Sequence, residues 1–365
     1  MSHIYVLNNG AGNPDGTLSV IDGKTHTLIA NISVGPVLPY FVKVTPNGKY
    51  VYIAALQTIT VIDTKSLAVM AVLPSGSGNN ISLTNTSIVF TPDSQFAYIG
   101  TQDDSFVVVI DVKTHTLIAR IYIGSTPNAL VMTPNGQNVY VATGGSQMLV
   151  IETQTHQIIA TIAISESSLA IDIMPNGEYI YVANTGNIGH SPPLQNEKSV
   201  AVIDSKKHQI IATVSTGFIP TVIKVTPDSR YVYVGSRNSG TITVIDTKSN
   251  KPISTISFPP FVEGIGPETI IFTPDSQVAY IGNILANTIG VISTKSHRLI
   301  AYILVPPIIQ FTFSQPYRLA ITASGRYVYS ANRLNNNVSV VQTKNHTVIS
   351  TIQVGIQPTS IAVTP

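Results

Sequence analysis

The chain has 365 residues, 44% of them hydrophobic and 10% charged, with a formal net charge of +2 and neither cysteine nor tryptophan. Such a composition excludes a disordered chain and every chemistry that needs a thiol, and its near-neutral charge makes no global case for nucleic acid or an acidic membrane surface. No apolar run reaches the length of a membrane-spanning helix, and the start, Met1-Ser-His-Ile-Tyr-Val-Leu7, lacks the basic and apolar regions of a signal peptide, so localisation stays open.

The first predicted element is a strand over Ile4-Tyr5-Val6-Leu7, followed by strands ending at Val20-Ile21-Asp22 and centred on Leu28-Ile29-Ala30. A Pro-led strand and the turn Thr45-Pro-Asn-Gly48 come next, and then the sentence starts again at Tyr50. Its Val-Ile-Asp phrase recurs at Val61, Val109, Val150, Val202, Val244, Val291 and Val340. A period of roughly 41 to 52 residues is the range in which repeats mean propellers or solenoids. Each phrase is strand-length and rich in Val, Ile, Tyr and Thr, with Pro, Asn, Asp and Gly at the bounds, and no helical period competes. Second-strand phrases begin at His3, Tyr50, Phe96, Asn138, Tyr179, Tyr231, Val278 and Tyr327, which predicts eight four-stranded antiparallel blades in one all-β domain over 1–365, with seven blades as the alternative. The chain opens on a second-strand phrase and stops on a first-strand phrase, Pro358 to Pro365, so strands from opposite ends are expected to complete one blade and close the propeller.

The phrases Tyr50-Val51-Tyr52, Tyr140–Thr143, Tyr181–Asn184 and Tyr231–Gly235, each followed by a Val-Ile-Asp-type phrase, resemble YVTN-type β-propeller repeats over essentially the whole chain. The resemblance implies that the Pro-led phrase is the innermost strand and the Ile-Ile-Ala-Thr-Ile phrase the outermost. It also implies a family that is often exported, with some members reported to bind DNA. Without tryptophan the chain lacks the docking motifs of quinone-cofactor propellers and the Trp-Asp signature of WD repeats.

Where repeats agree they specify scaffold, so function is expected where they differ. Connections are expanded at 74–87, 184–199, 258–268 and 305–318, all predicted on one face of the propeller. That face would carry Asp103, Asp104, Glu166, Glu197, Glu263 and Glu268, with Arg237, Arg318 and Arg333 nearby. His190, Phe258, Phe261, Phe311, Phe313 and Tyr317 fall in or beside the expanded loops. Aromatic and Arg side chains dominate binding hot spots, so these residues form the expected recognition surface.

Six of the eight histidines (His26, His115, His156, His208, His297 and His346) occupy one turn position and are expected to be structural or solvated rather than metal ligands. The Lys residues of those turns form a positive set that could meet phosphates, but Asp22, Asp63, Asp111, Asp204 and Asp246 in the same turns cancel much of the field. Lys43, Asp172 and Lys224 share one position on innermost strands, where charge needs hydration or a partner, and a small anion between the two lysines is one option. No phosphate loop, nucleophile elbow or zinc-spaced histidine pair occurs. The sequence therefore predicts a monomeric, non-enzymatic module that binds a protein, peptide or glycan, with no cofactor, no metal and no assigned catalytic residue. Its alternatives are a lactonase-like hydrolase drawing on Asp103, Glu268, Arg237 and His190, and nucleic-acid binding on the Lys-bearing face.

Overall fold

The computed structural model describes residues 2–10, 16–35, 39–75, 87–101, 105–164, 167–185, 198–258, 266–283, 287–305 and 316–365. These residues form eight four-stranded antiparallel sheets, the blades of a β-propeller. Blade 2 spans 39–74, blade 3 88–122, blade 4 127–163, blade 5 168–215, blade 6 220–257, blade 7 267–304 and blade 8 316–353. Blade 1 is composite: His3–Asn8, Thr17–Asp22 and Thr27–Ser33 are joined by Pro358–Val363 from the other end of the chain. All eight second strands begin at the residues where the repeat places them. Apart from strands, one 3-10 turn is found among the described residues, Arg333–Asn335, and no helix there is long and apolar enough to cross a membrane.

The chain divides into two compact units, Met1–Ile81 with Ile271–Pro365, and Ser82–Ile270. Within each unit, first strands of successive blades lie side by side, as the Pro-led phrases of blades 4, 5 and 6 do. Second and third strands are buried on both sides, which explains their near-continuous apolar runs, whereas fourth strands alternate and expose one side. One core cluster joins Tyr140, Ala142, Met148 and Val150 of blade 4 to Ile180, Val182, Ala201 and Ile203 of blade 5, so these neighbouring blades of the second unit bury their apolar faces against each other. In the first unit, Ile4 pairs with Val363 and Tyr5 with Ala362, and the His3 amide donates to Thr364 Oγ1 at 2.9 Å.

The Thr-Pro-Asn/Asp-Gly/Ser turns pack blade to blade as well. Gly136 sits at φ +72, and a Cβ there would come 2.8 Å from Pro92 Cδ of the preceding blade. Gly325 stands in the same relation to Pro274. Both positions need the left-handed conformation and the missing side chain.

Candidate functional site

Each blade has two ends. The turns between strands one and two and between strands three and four leave from one end; the connections between strands two and three, and from one blade to the next, leave from the other. We call these the hairpin end and the loop end.

At the hairpin end the repeated polar residues are committed to the chain itself. Asp204 Oδ1 accepts the amides of Lys206 and Lys207 at 2.9 Å each, and Asp22, Asp63 and Asp111 do the same in their own turns. These backbone donors hold the Asp carboxyls below their usual range, Asp204 through Lys207 first and Asp22 through Thr25 first. The residue four positions after the Asp closes the turn in left-handed conformation: His26, His115, His156, His208, His297 and His346 have φ between 51 and 57. His and Asn tolerate that region better than most residues, and Asn250 and Leu67 fill it in the remaining described hairpins.

The same histidines latch neighbouring blades. A tyrosine on the second strand, fully buried, reaches the turn of the following blade: Tyr98 to His156 Nδ1 at 2.7 Å, Tyr140 to His208 at 2.6 Å, Tyr280 to His346 at 2.8 Å and Tyr329 to His26 at 2.7 Å. In the second unit Tyr181 makes the equivalent bond to Asn250 Oδ1 at 3.0 Å. Tyr140 also donates to the Ser205 carbonyl at 2.8 Å, so its single proton is used there and His208 Nδ1 must carry the hydrogen between them. Burial raises these tyrosines' pKa well above the ordinary value and lowers that of the histidines. Leu67 offers Tyr5 no such partner; the Tyr5 hydroxyl lies 3.4 Å from His3 Nδ1 instead, and burial raises its pKa to about 12.

A cleft of about 480 Å³ at this end lies between blades 3 and 4, lined by residues including Thr91, Asp93, Phe96, Asn135 and Thr153. Among its lining groups Thr91 donates to Asp93 at 2.6 Å and Thr153 to the Gly136 carbonyl at 2.6 Å.

The loop end differs. In the second unit Arg237 Nε lies 3.3 Å from Glu268 Oε1, the Arg side chain 55% exposed and the Glu 17%. Gly266 permits this approach, because a Cβ there would fall 2.0 Å from Arg237 Cα. In the same unit Lys198 Nζ stands 3.4 Å over the Phe218 ring, and the Phe218 amide donates to Ser239 Oγ at 2.7 Å. Phe258, half-buried, donates its amide to the Gly240 carbonyl at 3.2 Å. In the first unit two guanidiniums flank one ring: Arg318 is 4.5 Å and Arg333 5.4 Å from the Tyr317 centroid.

On the first strands, Asp172 and Lys224 meet at 3.0 Å, and Asp172 also accepts the Val225 amide at 2.8 Å. Lys224 is thus neutralised by Asp172 of the neighbouring blade; Lys43, on the equivalent strand of blade 2, pairs in register with Tyr52. An anion at Lys224 would have to compete with Asp172.

The structure brings Arg237 together with Glu268, and Arg318 and Arg333 together with Tyr317. His190, Glu197, Phe261, Glu263, Phe311, Phe313, Asp103, Asp104 and Glu166 lie outside the described residues. Among the described residues no three His, Asp or Glu side chains converge as a metal site would need. Two features carry no motif of their own in the sequence. The Lys198–Phe218 pair joins residues from separate connections. The tyrosine latch was legible only in hindsight: the buried Tyr and the turn His each keep one repeat position, a blade apart.

Two segments, 150–252 and 246–365, match the family model described as "Lactonase, 7-bladed beta-propeller". No curated protein matches the chain. Among solved structures, Kuenenia stuttgartiensis hydrazine synthase is similar with a TM-score of 0.63 and 18% identity, over 84% of this chain and 95% of that one. A dihydro-heme d1 dehydrogenase, NirN, in complex with DHE is similar with a TM-score of 0.75 and 17% identity, over 97% of this chain and 73% of that one. At such identities these two likenesses concern the fold alone.

Proposed function

The chain belongs to the lactonase β-propeller family, with one blade more than the family's description states, and on that premise we propose that it is a binding module which recognises a protein, peptide or glycan at the loop end of its blades. The observation that carries this reading is the contrast in side-chain use. Hairpin-end aspartates are spent on turn amides, whereas the loop end carries Arg237 against Glu268 and Lys198 over Phe218 in one unit, and Arg318 and Arg333 about Tyr317 in the other. Arg and Tyr make hot spots because they combine large contact area with donors that lose affinity sharply when unpaired. The YVTN-type repeat, as we read it, supplies the scaffold and not the ligand.

A glycan array and a displayed peptide library, probed with the intact protein and with a form whose 258–268 and 305–317 connections are shortened, test the proposal. Ligands bound by the intact protein should be lost from the shortened form. An unchanged binding profile would sink it.

Family membership and the Arg237–Glu268 pair favour a second reading, a lactone hydrolase. In that reading Arg237 would stabilise the negative charge that develops on the lactone carbonyl oxygen as water adds to it, before the ring C–O bond breaks and the leaving alkoxide takes up water's proton, and Glu268 would hold the guanidinium in place. Proton release from a panel of γ- and δ-lactones, abolished by Glu268→Gln, would establish it; no release from any lactone would remove it.

A further inference from the structure

We infer that the hairpin-end cleft between blades 3 and 4 binds a primary alkylammonium group; this site is separate from the recognition proposed for the loop end and does not rest on it. Its volume of about 480 Å³ suits a small ligand, and its lining residues all belong to the second unit. The cleft coincides with a break in the repeat. Two residues after the position of Asp22, every other hairpin between third and fourth strands carries a lysine, from Lys24 to Lys344, but blade 4 carries Gln154. In the first unit the turn residue Asp275 is followed one blade on by Lys344; Asp93, at the same turn position, is followed by Gln154.

Asp93 is exposed where it lines the cleft, and among the described residues it has no ion pair. Its Oδ1 accepts the Thr91 hydroxyl at 2.6 Å and the Gln95 amide at 2.9 Å, which fixes the carboxylate and leaves Oδ2 without a donor among those residues. Gln154, also exposed, adds an amide oxygen from blade 4. Phe96 gives an apolar wall, half-buried and packed edge to face on the His156 ring with centroids 5.0 Å apart. Burial lowers the His156 pKa, so at neutral pH that ring adds no competing cation. A carboxylate with one open oxygen favours a point donor. An ammonium can give one hydrogen to Asp93 Oδ2 and another to Gln154 Oε1, while its alkyl stem covers Phe96 and Pro92. A guanidinium fork needs two parallel acceptors, and Oδ1 is already taken. The ligand thus supplies the charge that lysine supplies in the other hairpins, and a free alkylamine or a peptide lysine would each bring it.

Ligand-observed NMR titration with n-butylammonium at constant ionic strength, against n-butanol, reads the site directly. Saturable binding of the amine and none of the alcohol is expected. Asp93→Asn should weaken it about three-fold or more, and Gln154→Lys should abolish it by placing a tethered ammonium in the cleft. Both changes install residues that other blades use at these positions, and Asn47 there accepts the Thr45 hydroxyl and the Lys49 amide just as Asp93 accepts its own pair. Melting curves of the two variants, matching the wild type, keep a folding defect from imitating the result; if one melts early, the other decides. Asp275→Asn in the first unit should leave binding unchanged. Absence of saturable binding, equal binding of the alcohol, wild-type affinity in a deciding variant or an equal loss in Asp275→Asn would overturn the site. Tighter binding of methylguanidinium than of n-butylammonium would overturn the ammonium assignment. Nα-acetyl-lysine methylamide separates the sources: binding tighter than n-butylammonium assigns the site to a peptide lysine, and equal or weaker binding to a free amine.

Discussion

The hairpin end and the loop end of the blades are made by the same strands, yet they use polar residues in opposite ways. At the hairpin end Asp22, Asp63, Asp111 and Asp204 cap their own turns, and His26, His156, His208 and His346 receive the tyrosines of the preceding blade. At the loop end Arg237 is half open to solvent, and Arg333 keeps a buried donor unmet. A residue type repeated from blade to blade is therefore evidence of structural employment, and charge that departs from the repeat is the better guide to a ligand. The histidines illustrate the point: counted alone they look like candidate catalysts, but their partners make them fasteners.

The largest effect should come from truncating a latch. Tyr140→Ala removes a fully buried ring and is expected to destabilise the protein by about 3–5 kcal/mol in denaturant unfolding. Tyr140→Phe, which strands the Ser205 carbonyl and His208 Nδ1, should cost about 1–3 kcal/mol. Tyr5→Phe should cost less than about 1 kcal/mol, because its hydroxyl has only the 3.4 Å contact with His3. Equal losses for the two Phe variants would break the idea that the turn histidine secures the latch.

Acidity should act on the hairpin end next. His26, His115, His156, His208 and His346 titrate below the ordinary histidine value when folded, because burial disfavours their charged form. The unfolded chain then binds more protons, so stability is full above about pH 6.5 and falls as pH drops toward the folded values. A second fall is expected below about pH 4, where the aspartates held low by turn amides protonate. Melting temperature followed from pH 8 to pH 3 checks both steps, and a flat profile between pH 7 and 5 would contradict the first. The smallest effect belongs to the loop end: Arg237→Gln should change stability by less than about 1 kcal/mol, since a half-exposed ion pair contributes little.

Much of this was legible in the sequence. Strand starts from His3 to Tyr327 follow from strand-length apolar phrases and the Pro, Asn, Asp and Gly turns that bound them, both local signals, and the pairing of the two chain ends follows from which phrase each carries. Contacts between blades were not legible, because Tyr98 and His156 stand 58 residues apart and no local pattern links them. The pairing of Lys224 with Asp172 crosses blades in the same way. At the site, residue type pointed to Arg237, Glu268, Tyr317, Arg318 and Arg333. Which of them meet depends on a Gly266 that lets two backbones approach and on a 3-10 turn, neither of which a repeat register encodes.

The most direct test neutralises three positive charges at one end at a time. Arg237, Arg318 and Arg333 are changed to Gln in one protein, and Lys113, Lys206 and Lys248 in another, so net charge falls equally. Both are then compared with the wild type on the same glycan array and peptide library. Loss of ligands in the arginine variant, with the lysine variant binding as the wild type does, is the predicted result. Retained binding in the arginine variant together with loss in the lysine variant would contradict the account and move recognition to the hairpin end.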